Sequence, residues 1–240
     1  MTTFFFWIKI YSIIISMFLF AGLSFSQDKE YFEKEKRKMI ERHLKPRGIT
    51  DPCILEAMYK VPREEFVPQN LRRLAYSDGP LPIGEGQTIS QPYIVALMTS
   101  LLEPKKIDKI LEIGTGSGYQ AAVLSLLVDK VYTIEIIKKL AQRAQDTLKR
   151  LGYDNVEVKW GDGFLGWEEN SPFDGIIITC SVDDFPPKLI EQLKEGGRIV
   201  APINNPFGYQ DLVVGIKRKG EIIRKYSIPC RFVPATHRLR

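Results

Sequence analysis

Histidine and cysteine are scarce in this chain of 240 residues: His43 and His237 are the two histidines, and Cys53, Cys180 and Cys230 the three cysteines. The cysteines lie far apart and show no Cys-x-x-Cys spacing, so no metal centre is expected. One disulfide would leave an odd thiol, and three plain apolar thiols are the simpler expectation. Charge of one sign is also lacking. The 34 Lys and Arg face 29 Asp and Glu, for a net charge of +5, and the basic run at 36–38 is only "KRK". Such a balance does not demand nucleic acid, and none is expected as a partner. The mild positive field would suit an anionic peptide group. Internal repeats and low-complexity segments are missing too.

A long apolar run occurs once, at the start. "FFFWIKIYSIIISMFLFAGL" carries a single charge, Lys9, and "SFSQ" follows it. Ser24 and Ser26 sit where a signal peptidase wants small residues for cleavage after Ser26. Residues 1–26 therefore read as a signal peptide, with an uncleaved membrane anchor as the alternative. The lysines and Arg37 between 29 and 38 would favour the cytoplasmic side by the positive-inside rule, which counts against export. A periplasmic or secreted protein is expected from the leader, and a cytoplasmic or membrane-anchored one otherwise. Membrane contact is expected only through this segment. Residues 27–240 read as a single domain with an N-terminal helical extension over 28–45, where Tyr31, Phe32, Met39, Ile40 and Leu44 fall on one face.

From Ile107 onward short apolar runs alternate with helical patterns. "KILEIG", "KVYTIEI", "VEVKWGD" and "FDGIIITC" read as strands. "GYQAAVLSLLV", "IKKLAQRAQDTLKRLG" and "PPKLIEQLKEGG" read as helices. "RIVAPI", "QDLVVGIKRKG" and the tail to "CRFVP" are again strand-like. The alternation implies an α/β fold: a mostly parallel, twisted sheet with helices on both faces and an antiparallel C-terminal edge.

The chemistry concentrates at "LEIGTGSGY", where a strand runs into Gly114, Gly116 and Gly118 and a helix begins. Glycines there let the backbone turn tightly and approach a ligand. A dinucleotide site wants G-x-G-x-x-G. Here the spacing is G-x-G-x-G, with Tyr119 where the third small residue should fall. Glu112, two residues before the first glycine, would oppose a phosphate but suit an ammonium or sulfonium. The pattern thus points to S-adenosyl-L-methionine rather than NAD. Glu135 ends the next strand, where a carboxylate can take both ribose hydroxyls. Asp162, in "GDG", could accept from an adenine amino group, and the Gly163 N–H could donate to the ring. A strand-to-helix turn, a solvated helix cap and a simple turn are the bland readings of these three places.

One polar loop remains: "GEGQTISQPY", Gly84–Tyr93, holds hydroxyls, glycines and one carboxylate but no Lys, His or Cys. With "YSDGPLPI" before it, "RGITDPCILEAMYKVPREEFVP" upstream and "ILEIGTGSGYQAAVLSLLV" downstream, it closely resembles the protein-L-isoaspartate O-methyltransferase family over residues 40–203. The glycine motif is common to many methyltransferases; "PLPIGEGQTISQPY" is far more specific. The resemblance implies a class I methyltransferase fold. It also implies methyl transfer from S-adenosyl-L-methionine to the α-carboxyl of L-isoaspartyl residues in damaged proteins and peptides. The ester then closes to a succinimide, whose hydrolysis returns some normal aspartate. It makes Ser90 the active-site residue and Thr88, Ile89 and Ser90 the substrate loop, in a protein expected to act as a monomer. Caps of the following helix are the bland reading of Thr88 and Ser90. The loop after "IIIT", Cys180 to Asp184, and the "FVP" near the C terminus depart from the family's usual residues or match them loosely. A methyltransferase for another carboxylate or small acceptor, an NAD-dependent oxidoreductase and a cofactor-holding module without activity are the competing readings.

Overall fold

The computed structural model describes residues 27–235; the expected leader and His237 lie outside the described residues. The chain divides into two compact units at Lys38/Met39. Of the first unit, residues 27–38 form helix α1, with Lys36 paired to Glu33 at 2.9 Å and Lys38 to Glu35 at 3.2 Å. No helix among the described residues is long and apolar enough to cross a membrane.

The second unit begins with a π-helical turn, Met39–Leu44, whose Met39, Ile40 and Leu44 are buried. Helix α2, Pro52–Lys60, is capped by Asp51, whose carboxylate accepts from the Cys53 and Ile54 N–H groups. Two 3₁₀ turns follow, Arg63–Phe66 and Gln69–Leu74. The stretch that showed no period in the sequence then forms a β-hairpin, β1 Leu81–Gly84 with β2 Gln87–Ile89. Leu81, Ile83 and Ile89 are its buried positions. Gly84, Glu85 and Gly86 all have positive φ at its tip.

Helix α3, Pro92–Leu102, leads into the alternating region: β3 Lys109–Ile113, α4 Tyr119–Ser125, β4 Lys130–Glu135, α5 Lys138–Arg150, β5 Val156–Trp160 and β6 Phe173–Ile178. Helix α6, Pro187–Gln192, precedes β7 Leu193–Asn204, β8 Gln210–Arg218 and β9 Glu221–Cys230. The seven strands are ordered β5-β4-β3-β6-β7-β8-β9. The first five run parallel, and β8 and β9 add antiparallel at the edge. This is the expected α/β architecture.

Ile176, Ile177 and Ile178 are consecutive, so they point to alternate faces, and all are fully buried. The sheet is therefore covered on both faces, which explains why its strands read as continuous apolar runs. One boundary differs from expectation. "KEGG" was expected to end a helix, but α6 stops at Gln192 and the residues from Leu193 already belong to β7. The register against β6 slips between Leu193 and Arg198, and Lys194 reaches Asp174 at 2.5 Å.

The chain order reverses around β3: β4 and β5 lie on one side of it and β6 on the other. In open α/β sheets the crevice beyond the carboxyl ends of the strands at such a reversal is where ligands bind.

Candidate active site

The carboxyl end of β3 opens into the glycine turn. Gly114 has φ +95°, and a Cβ there would lie 2.5 Å from the Thr179 hydroxyl. Thr179 follows β6 and donates to the Gly114 carbonyl at 2.6 Å. The glycine turn is thus pressed against the end of the neighbouring strand, which only a residue without a side chain allows. Gly118 behaves differently. Its missing Cβ faces Leu148 and Ala144 of α5 at 3.2–3.4 Å, so it serves the packing of α4 on α5. Gly118 was also expected at the cofactor; it is not among the residues lining the three cavities of this site.

Glu135 ends β4 and is buried. Its Oε2 accepts from the Gly116 N–H at 2.8 Å, and Oε1 accepts from the Ile137 N–H at 2.9 Å. Burial pushes its carboxyl above the usual range while these backbone donors pull it back. Asp162 ends the next crossover and caps the 3₁₀ turn Gly163–Leu165 through the Phe164 N–H at 2.9 Å. Gly114, Gly116, Glu135, Asp162 and Gly163 all line one cavity, with Ile113, Ile134, Phe164 and Thr179 as further walls.

Glu112 sits deeper and lines a second, smaller cavity with Gly114, Gly116, Ser117 and Ser90. It is fully buried. Oε2 accepts from the Thr133 hydroxyl at 2.6 Å, and Oε1 has no partner. Burial is the main cause that pushes this carboxyl up to about 8, with the Glu135 charge adding to the rise and the Thr133 hydrogen bond opposing it. At neutral pH Glu112 is therefore mostly protonated without a ligand. A cation placed in that cavity would favour its ionised form.

This yields a prediction with a definite sign. An unfolded Glu ionises near 4.5, the folded one near 8, so the unfolded state binds fewer protons between these values. Stability falls as pH rises through that window. Glu112→Gln should remove the penalty and stabilise the free protein at pH 7 by about 1–3 kcal/mol, since each pKa unit corresponds to ~1.4 kcal/mol. The same variant should weaken S-adenosyl-L-homocysteine, which keeps its ammonium, by about tenfold. Melting curves at pH 5 and pH 7.5 with and without that ligand measure both effects. A variant less stable at pH 7.5 with unchanged ligand affinity would show Glu112 to be only a packing residue.

A third space is a groove of about 680 Å³ lined by Arg47, Ser90, Gln91, Tyr93 and the stretch Ile228–Pro234. That size suits a peptide side chain and its neighbours. Thr88 and Thr179 line all three spaces, and Ser90 and Thr88 line both the groove and the Glu112 cavity. Ile89 is buried and faces the Glu112 cavity alone. Among the described residues the Thr88 and Ser90 hydroxyls have no hydrogen-bond partner. Neither caps α3: Gln91 occupies the N-cap position, and its side chain reaches Asp78 at 2.7 Å instead. The first-turn N–H groups of α3 beside the groove are left uncapped.

Sequence reasoning missed Thr179 and Arg63, whereas the "FVP" of the resemblance, Phe232–Pro234, does line the groove. Thr179 is signalled only by its place after "III" at a strand end. The three cysteines are free, so the disulfide the sequence allowed is not formed. Burial pushes the Cys180 thiol up to about 12, with the Glu135 charge adding to it, and this removes it as a nucleophile. No group of His, Cys, Asp and Glu able to hold a metal exists among the described residues.

A glycine turn after the first parallel strand, with carboxylates ending the next two, on this sheet order, defines a class I methyltransferase that uses S-adenosyl-L-methionine. The chain belongs to the protein-L-isoaspartate(D-aspartate) O-methyltransferase family, whose model matches residues 34–240. It is 50% identical over 233 residues to protein-L-isoaspartate O-methyltransferase 2 of Shewanella sediminis, covering 95% of each chain. It is 49% identical to protein-L-isoaspartate O-methyltransferase of Opitutus terrae, over 93% of this chain and 96% of that one. A solved protein-L-isoaspartate O-methyltransferase superposes with a TM-score of 0.77 at 34% identity, over 85% of this chain and 67% of the other. A Plasmodium falciparum structure, described as this enzyme in complex with S-adenosyl-L-homocysteine, gives 0.71 at 25% identity, over 85% and 97%.

Proposed function

We propose that this enzyme methylates the α-carboxyl of L-isoaspartyl residues in damaged proteins and peptides, starting their repair through a succinimide. The observation that carries this reading is the meeting of three spaces at Thr88 and Thr179, with the free Thr88 hydroxyl at the junction and the free Ser90 hydroxyl lining two of the three. When bound, S-adenosyl-L-methionine supplies an electrophilic methyl on a sulfonium. The residues present fit it. Glu135 retains lone pairs beyond its two backbone partners and could accept from ribose hydroxyls. Asp162 and Gly163 wall the same cavity, where an adenine would sit. Glu112, with its unpartnered oxygen, could receive the cationic methionine end.

The acceptor needs no general base, because a carboxylate is already ionised at neutral pH. The protein has to place it and exclude water. The Ser90 hydroxyl and the uncapped N–H groups of α3 can hold it without a full cation, which would stabilise the reactant more than the transition state. The Phe232–Pro234 segment, bonded to Gln210 through the Phe232 backbone, forms the far wall where peptide backbone would run.

The test is radiolabelled methyl transfer to an isoaspartyl peptide, with the matching aspartyl peptide as control. Label on the isoaspartyl peptide alone is the expected result. Equal labelling of both peptides, or of neither, would overturn the substrate assignment.

A further inference from the structure

The geometry points to Arg63 as the positioning residue of the substrate loop, an inference that rests on the methyl-transfer reading above. Arg63 is completely buried, yet among the described residues it enters no ion pair. Its Nε donates to the Ala75 carbonyl at 2.6 Å and its Nη2 to the Ser90 carbonyl at 2.7 Å. Its Cζ lies 4.6 Å above the ring of Tyr119, the first residue of the helix that follows the glycine turn. Its Nη1 has no partner. The backbone N–H of Arg63 is turned to the Tyr76 hydroxyl, which donates in turn to Glu64.

A buried guanidinium without a carboxylate is expensive to keep. An apolar side chain could cover Tyr119, but it could not satisfy the Ala75 and Ser90 carbonyls that Arg63 holds, and the second of these belongs to the substrate loop. The Ser90–Gln91 peptide is trans, since the chain's cis bond among the described residues is Ser171–Pro172. In a trans peptide the C=O and the following N–H point in opposite directions. Drawing the Ser90 carbonyl into the core therefore turns the Gln91 N–H outward, on the side of the groove that Ser90 and Gln91 line. That N–H makes no backbone hydrogen bond among the described residues. Arg63 thereby sets both the aim of one free donor and the backbone from which the Ser90 hydroxyl projects. Through Tyr119 the same guanidinium fixes this loop relative to the cofactor turn.

Arg63→Met keeps the stem over Tyr119 and removes the grip. Kinetics with the isoaspartyl peptide should show KM raised about 10- to 50-fold and kcat lowered less. The Kd for S-adenosyl-L-homocysteine should stay within threefold. Arg63→Lys keeps the charge but cannot serve two carbonyls through a planar fork, so its KM should fall between the two, about threefold up. In a Ser90→Ala background, Arg63→Met should cost less than it does alone. KM and kcat within twofold of wild type in a folded Arg63→Met variant would overturn the role. So would loss of cofactor affinity in step with KM, or additive losses in the double variant. If Arg63→Met does not fold, an Arg63→Lys variant with lowered melting temperature and wild-type KM overturns it equally. A wild-type enzyme inactive on the isoaspartyl peptide would instead refute the methyl-transfer reading, and the Arg63 role would fall with it.

Discussion

Glu135→Ala should weaken S-adenosyl-L-homocysteine binding by 100-fold or more in calorimetry. Two effects add. A carboxylate that accepts from ribose hydroxyls contributes about 1.5–3 kcal/mol for each hydrogen bond made to the charged group. Glu135 also holds the cofactor turn: its Oε2 takes the Gly116 N–H and its Oε1 the Ile137 N–H. Alanine leaves both donors without their partner and frees the turn to move. Glu135→Gln, which keeps one acceptor oxygen, should lose less. Asp162→Ala is the companion, and about tenfold is expected, because Asp162 secures only the short turn at Phe164 and one wall of the cavity. Wild-type affinity in both alanine variants would remove the ends of β4 and β5 from the cofactor site.

The order and type of the central elements were legible in the sequence because their physics is local. Ile176 to Ile178 read as a strand buried on both faces, and the alternation of such runs with helical periods forces crossover connections and a parallel sheet. The β1–β2 hairpin was not legible. Its strands have four and three residues, and its tip takes positive φ at three successive positions. Too few alternating positions remain for a period to emerge. The end of α6 was misread for a related reason. "KEGG" has the composition of a helix C terminus, but pairing with β6 and the Lys194–Asp174 contact draw the chain into the sheet earlier.

The site divides in the same way. Glu112, Gly114, Gly116, Glu135, Asp162 and Gly163 lie at strand ends, so pattern alone locates them, and the fold brings them to adjoining cavities. Gly118 shares the motif, and a third glycine in such a turn also answers to helix packing, here against Leu148. Arg63 and Thr179 carry no local signal. One is a buried cation in a proline-punctuated turn, the other a small hydroxyl after a strand, and their meaning comes from Ser90 and Gly114, which are distant in sequence. Glu112 was read by its charge. In the free protein burial raises its pKa to about 8, so at neutral pH the carboxyl is mostly protonated, and a cation placed there would favour its charged form.

Ser90→Ala should lower kcat/KM for an isoaspartyl peptide by roughly 10- to 1,000-fold while leaving S-adenosyl-L-homocysteine affinity within a few-fold. The range is that found for single hydrogen-bond donors that position or stabilise a reacting oxygen. The lower part is favoured by the chemistry: the attacking carboxylate loses charge as it reacts, so a donor to it is worth more for alignment than for charge stabilisation. The division of labour follows from the lining of the cavities. Ser90 faces the groove and the Glu112 cavity, but not the one bounded by Glu135 and Asp162. Stability should barely change. The Ser90 hydroxyl caps no helix, because Gln91 holds the N-cap position of α3 without a side-chain cap, and the Arg63 contact is to the Ser90 carbonyl, which alanine retains. A drop in melting temperature of many degrees would therefore contradict the geometry. Thr88→Val is expected to cost less than Ser90→Ala, since Thr88 is exposed at the three-way junction. Full activity in Ser90→Ala would transfer the burden of holding the carboxylate to the backbone. The free donors there are the Gln91 N–H and the first turn of α3, and neither can be deleted by a side-chain change. An ester bond in place of the Ser90–Gln91 peptide, introduced by semisynthesis, would then expose that contribution as a rise in KM.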